Sequence, residues 1–283
     1  MQCIWPLAAT LGEGPMWDAR RGVLWFVDIK QGRVHRLDPA TGDRGTIEVG
    51  GMPCFVLPAD DGGYVLGNGH DLFRFDGEKV TGRIGGVAMP AANRFNDATV
   101  DPKGRIWFGS MDNDENAESG ALHVHDAGAI HVAGGECCIT NGPAVSGDGR
   151  WLYHVDTIGG VIWRFDIAEA PLLRDGTVFA RIDPKDGNPD GIIIDAEDHV
   201  WAGLWGGWSV RRYAPDGALV QTVEFPVANV TKLAFGGPDL KTVYATTARQ
   251  GLDDAQLAAQ PLAGGLFSFR VDVPGVVLPE ARL

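Results

Sequence analysis

The sequence predicts an all-β chain folded as a six-bladed β-propeller. Long helical periodicity is nearly absent, and short aromatic and β-branched runs alternate with Gly, Asp and Pro turns. Forty glycines stand among the 283 residues, roughly twice the usual share. One unit also recurs six times: a polar turn with Asp-Gly or a relative, a bulky strand, a second turn and a second strand. Its period is roughly 40 to 48 residues, the span of one propeller blade.

The copies follow in order. Residues 21–28 (RGVLWFVD) lead to 33–38 (RVHRLD). A weaker copy at 60–65 (DDGGYV) leads to 71–76 (DLFRFD). Next come 101–109 (DPKGRIWFG) with 121–124 (ALHV), and 147–153 (GDGRWLY) with 161–166 (VIWRFD). The last two are 195–201 (DAEDHVW) with 210–213 (VRRY), and 238–244 (PDLKTVY) with 266–269 (LFSF). A two-sheet sandwich has no reason to repeat its strands six times. Six such units use the whole chain, 1–283, as one domain. A closed ring needs a clasp, so residues 2–5 (QCIW) are expected to add a strand to the last blade and cover its edge.

Composition narrows the function. The formal charge is −13, which argues against nucleic acid and against an anionic membrane face. No apolar run approaches the ~20 residues of a membrane helix. The start has no basic n-region, and the four cysteines (Cys3, Cys54, Cys137, Cys138) show no CxxC spacing. These features predict reduced thiols in a cytoplasmic protein, with no obligate protein partner.

Loops entering the innermost strands of a propeller crowd the mouth of its central channel. Four carry residues outside the turn grammar: Glu13 in LGEGPMW, Asn141 in ITNGP, Asp190 in GNPDGIII, and Arg94 with Asn96 in NRFNDATV. Each alone reads as a turn or solvated loop residue. Together they share one blade position. Two carboxylates and an amide oxygen converging in a channel repel unless a cation lies between them. Oxygen donors suit a hard or borderline divalent ion, and three ligands leave room for water and substrate. Arg94 and Asn96 fall on one side of an extended segment.

At these motifs, and at RFNDATVDPKGRIWFGSM, NGPAVSGDGRWLYHVDT, NPDGIIIDAEDHVWAGLWGG and AFGGPDLKTVYATTAR, the chain resembles the regucalcin-like (senescence-marker-protein/gluconolactonase) family of six-bladed lactonases. The variants look closest to bacterial sugar-acid lactonases of the xylonolactonase type. The resemblance implies that Glu13, Asn141 and Asp190 hold one divalent ion (Ca²⁺, Mn²⁺, Fe²⁺ or Zn²⁺). It also implies that Asp190 moves the proton and that Arg94 and Asn96 meet substrate oxygens. A further substrate carboxylate is expected after the GSM strand. Asp114 is taken for it, against Asp112, Glu115 or Glu118.

The expected activity is metal-dependent opening of a sugar lactone such as xylono-, arabinono- or gluconolactone to the aldonic acid. Its rivals are a metal-dependent hydrolase of other esters or organophosphates and a non-catalytic calcium-binding propeller. Other residues receive plainer readings. Lys232 is a charge at the channel rim. His123 and His125 are structural, and Cys137 and Cys138 are packing residues. Trp205 and Trp208 stand nearer the mouth and could wall a sugar pocket. There is no GxSxG, HExxH or P-loop.

Overall fold

In a computed structural model, which describes residues 1–168 and 172–283, the chain forms six four-stranded antiparallel sheets. Five are built from consecutive strands. The sixth takes its outermost strand, Gln2–Trp5, from the N-terminus, pairing Gln2 with Ser268 and Cys3 with Phe267. The expected clasp is therefore present. The blades are numbered 1 to 6 by their inner strands: Gly12–Asp18, Pro53–Pro58, Asn93–Val100, Thr140–Val145, Asn188–Ile194 and Val230–Gly236.

These six strands are buried almost throughout. Each packs against the inner strand of the next blade, and the last packs against the first, which closes the ring. Neighbouring blades cover both faces, so apolar stretches such as 53–58 (PCFVLP), 192–194 (III) and 233–235 (LAF) are buried on both sides, while the polar residues of these strands gather toward one end. The outer strands Arg44–Glu48 and Leu219–Glu224 face solvent, the first mostly polar and the second mixed.

The recurring Asp-x5-Trp pattern has a physical cause. In blade 3, Asp101 ends the inner strand and accepts from the backbone N–H groups of Lys103 and Arg105. Its second oxygen takes the Trp107 indole N–H at 2.9 Å. In blade 5, Asp195 does the same for Glu197, His199 and the Trp201 indole. One carboxylate thus fixes the turn and anchors the aromatic that fills the blade interface.

One element was not expected: a short helix, Asp254–Ala259, in the loop between blade 6's second and third strands. Asp253 and Gln256 close a capping box at its start. At the opposite end of the channel the C-terminal tail crosses the ring. It bridges Gly275 to Asp195 and Ala281 to Ala59.

Candidate active site

Every inner strand is interrupted at the same level. Two residues lose their cross-strand partners between Glu13 and Met16, Phe95 and Ala98, Asn141 and Ala144, Pro189 and Ile192, and Val230 and Leu233. Blade 2 shows the shorter version between Pro53 and Phe55. A bulge bends the strand and re-aims its side chains. Here six bulges ring one channel.

The bulges separate the sequence candidates into two adjacent levels. Glu13 and Asn141 are the last paired residues before their bulges, and Asn96 and Asp190 are the first residues within theirs. Gly14 makes the turn possible in blade 1. Its φ is +54°, and a Cβ there would lie 2.9 Å from the Cys54 carbonyl oxygen of blade 2.

A continuous polar chain runs across blades 3 and 4. Arg94 Nη1 donates to Asn96 Oδ1 at 2.6 Å and to the Phe95 carbonyl at 3.0 Å. Asn96 Nδ2 donates to Asn141 Oδ1 at 2.9 Å and to the Thr140 carbonyl at 2.8 Å. Asn141 Nδ2 donates to Thr157 Oγ1 at 3.0 Å. Asn141 Oδ1 is thus held inward and keeps a second lone pair free.

The acidic part of the cluster is buried. Glu13 is 4%, Asp190 5% and Asp97 2% exposed. Burial raises the Glu13 pKa, and the Asp97 charge raises it further. The Gly14 N–H, Lys232 and Arg94 act in the opposite direction. Asp190 is raised well above its ordinary range by burial, then by Glu13 and Asp97. Asp97 is also raised by burial, against the pull of Lys232. Lys232 Nζ bonds Asp97 Oδ1 directly and the Ala98 carbonyl at 3.2 Å. Asp97 Oδ2 has no hydrogen-bond partner among the described residues.

The rim assignment for Lys232 is therefore corrected. Its side chain is buried, and its stem lies so close to Gly191 that a Cβ there would come within 2.5 Å of it. Beyond this pair the channel opens into a largely apolar cavity lined by Met16, Phe55, Ala144, Ile192 and Leu233. The tail residues Val276–Leu278 also line it. The polar cluster and the apolar cavity are two ends of one channel, divided by Lys232 and Asp97.

The donor chemistry fits a divalent cation. Of the three buried carboxylates only Asp97 bonds the Lys232 ammonium; Asp97 raises the Glu13 pKa, and Glu13 and Asp97 both raise that of Asp190. A cation among them relieves that repulsion. Among the described residues, no three His, Cys, Asp or Glu side chains form a metal cage by themselves. A set built on Glu13 and Asp190 needs the Asn141 amide oxygen to complete it.

The loop after blade 3's second strand is more specific than its sequence. Asp114 is exposed. Asp112 is buried, but its oxygens accept from the N–H groups of Asp114, Asn116 and Ala117, and these bonds lower its pKa. Glu115 and Glu118 are exposed. The side chain that meets Arg94 is Asn113, whose Oδ1 accepts from Nε at 3.1 Å.

The remaining assignments are structural. His123 Nε2 is 3.0 Å from Ser110 Oγ, and its ring stacks on Phe108 within blade 3. His125 is buried on the same strand. Burial raises the Cys137 and Cys138 thiols, and Cys137 Sγ lies 3.9 Å from His154 Nε2, itself held below its usual range by burial. A raised thiol beside a neutral imidazole is a packing arrangement, not an activated nucleophile. Trp205 is half-buried at the end of its strand, and Trp208 is exposed in the following turn.

The sequence and the propeller both have known counterparts. Residues 11–249 match the SMP-30/Gluconolactonase/LRE-like region, and the chain belongs to that family. It is 35% identical to a 6-deoxy-6-sulfogluconolactonase from Pseudomonas putida, over 99% of this chain and 97% of that protein. It is 31% identical to pentonolactonase XacC of Haloferax volcanii, over 96% and 94% of the two chains. The crystal structure of a calcium-binding protein, regucalcin, from Agrobacterium tumefaciens superposes with a TM-score of 0.94 at 29% identity. That match covers 99% of this chain and 97% of the other.

Proposed function

We propose that the chain is a divalent-metal-dependent lactonase that opens a sugar lactone to its aldonic acid in the mouth of the channel. The observation that carries the reading is the buried convergence of Glu13 and Asp190 beside the Arg94–Asn96–Asn141 chain. The names of the lactonase relatives support the same class of reaction.

Glu13, Asn141 and Asp190 are the residues that would hold the ion. Bound there, a divalent cation supplies Lewis acidity to the lactone carbonyl and a lowered pKa to water. Arg94 and Asn96 donate to the oxygens of the polyol ring and fix its orientation. Asp190 accepts the proton of the attacking water and returns it to the ring oxygen as the C–O bond breaks. Asp114 meets a substrate hydroxyl.

Asp190→Asn separates these roles, because it keeps an oxygen donor and loses the base. It should lower kcat by ~10²–10⁴ and reduce metal occupancy, measured by calorimetry, far less. Near-normal turnover in a metal-loaded Asp190→Asn variant would remove Asp190 as the base.

A further inference from the structure

We propose that Lys30 and Arg94 form an anion-recognising pair at the channel mouth, so that the lactone opened here carries a negatively charged substituent away from its carbonyl. The inference rests on the lactonase reading and narrows its substrate class.

Lys30 lies in the loop after blade 1's strand Val23–Asp28, and Asn113 follows blade 3's strand Ile106–Asp112. Lys30 Nζ donates to Asn113 Oδ1 at 2.7 Å, and Arg94 Nε donates to the same oxygen at 3.1 Å. The ammonium thus reaches from blade 1 to blade 3, over the end of blade 2. Two cations converge on one neutral amide oxygen. Among the described residues, neither forms an ion pair with a carboxylate.

Arg94 is only 2% exposed, so its charge is poorly served by water. Lys30 is held below its ordinary pKa by partial burial and then by Arg94. Glu115, the Cys54 thiol and Asp114 act in the other direction. Lys30 and both carboxylates are exposed, so solvent and salt weaken the carboxylates' hold on it.

The charges are sorted along the channel. Glu13, Asp97 and Asp190 form an acidic floor, and Lys30 and Arg94 stand together near Asn113. With a divalent ion offsetting Glu13 and Asp190, and Lys232 offsetting Asp97, the charge left to attract an anion is that of Lys30 and Arg94 at the mouth. A lactone with a charged group on its exocyclic carbon is therefore oriented with its carbonyl inward. An anionic oxygen in place of the Asn113 oxygen receives two charge-assisted bonds, one from a guanidinium suited to planar oxyanions. Sulfonate, carboxylate and phosphate share this chemistry.

The test compares kcat/KM for gluconolactone with that for its 6-sulfonate, 6-carboxylate and 6-phosphate counterparts. Wild type, Lys30→Gln and Lys30→Arg are measured with metal present. At least one charged lactone should exceed the neutral one by about tenfold, and which one does so identifies the anion. Lys30→Gln should lower the charged-to-neutral ratio about tenfold and Lys30→Arg should largely retain it. Hydrolysis of the neutral lactone with no charged preference, and a ratio unmoved by Lys30→Gln, would overturn the proposal and leave the lactonase reading intact. A calorimetric arm uses glucose and its 6-sulfonate, 6-carboxylate and 6-phosphate, which contain no lactone to open. Tighter binding of a charged sugar to wild type than to Lys30→Gln supports the pair even if no lactone is hydrolysed, a result that would sink only the lactonase reading. Equal binding of glucose and all three charged sugars would overturn the pair.

Discussion

Asp97 and Lys232 show how a single pair shapes the cluster around it. Lys232 is 5% and Asp97 2% exposed, so neither charge is hydrated, and each depends on the other. Removing one partner of such a pair strands the other, at about 3–5 kcal/mol. Lys232→Met should therefore lower the denaturation midpoint sharply, and Lys232→Met with Asp97→Asn should recover most of the loss. An additive double variant would show that the two do not interact. Arg94→Ala should act mainly through KM and orientation, because Arg94 holds Asn96 and Asn113. A fall in kcat with KM unchanged would oppose that assignment.

The raised carboxylates also tie stability to pH. Glu13 is pushed up to about 8 by burial and by Asp97, against an ordinary value near ~4.3. The folded chain then binds a proton that the unfolded chain releases. This contribution is fully present below the ordinary value and is lost as pH rises toward about 8. Metal-stripped protein should melt at progressively lower temperature across that window, and saturating divalent ion should flatten the slope. A stripped protein whose melting temperature rises through the window would contradict the placement of these charges.

At the level of the element, the inner strand with its bulge is the functional unit. Gly14→Ala places a Cβ against backbone at φ +54°. It should destabilise by about 1–3 kcal/mol and weaken metal binding by displacing Glu13. A variant with wild-type melting and affinity would mean that the backbone relaxes freely there. The same element explains what could be read in advance. Glu13, Asn141, Asp190, Arg94 and Asn96 stood out because they share one blade position, in the loops that enter the inner strands. Asp97 did not, because strict alternation turns it away from the channel if Asn96 faces in. The bulge suspends alternation and leaves both residues buried and unpaired in the ladder. Asn113 was hidden for a different reason. It lies in a loop ordered by Asp112 accepting local N–H groups, and no periodicity predicts which residue such a loop turns inward. The repeat itself was legible because Asp101 and Asp195 anchor the indole six residues on.

At the scale of the whole molecule, the ring is closed twice. The inner strands pack in an unbroken circle, and Gln2–Trp5 seals the last blade. Deleting residues 1–5 should expose the edge of Leu266–Arg270, lower the melting temperature and promote association through that edge. Unchanged melting and a monomeric variant would show the clasp to be dispensable. A ring closed in this way has little freedom to change shape on binding an ion, which favours catalysis over signalling by conformational change. The lactonase proposal turns on one dependence, lactone opening only when a divalent ion occupies this channel. Titrating acid release from gluconolactone, xylonolactone and arabinonolactone at constant pH, with stripped protein and then with each divalent ion restored, tests it most directly. Stripped protein should show only the spontaneous rate, and a saturable excess should appear near one equivalent of ion. Hydrolysis that is indifferent to the ion, or metal-loaded protein that never exceeds the spontaneous rate, would contradict it.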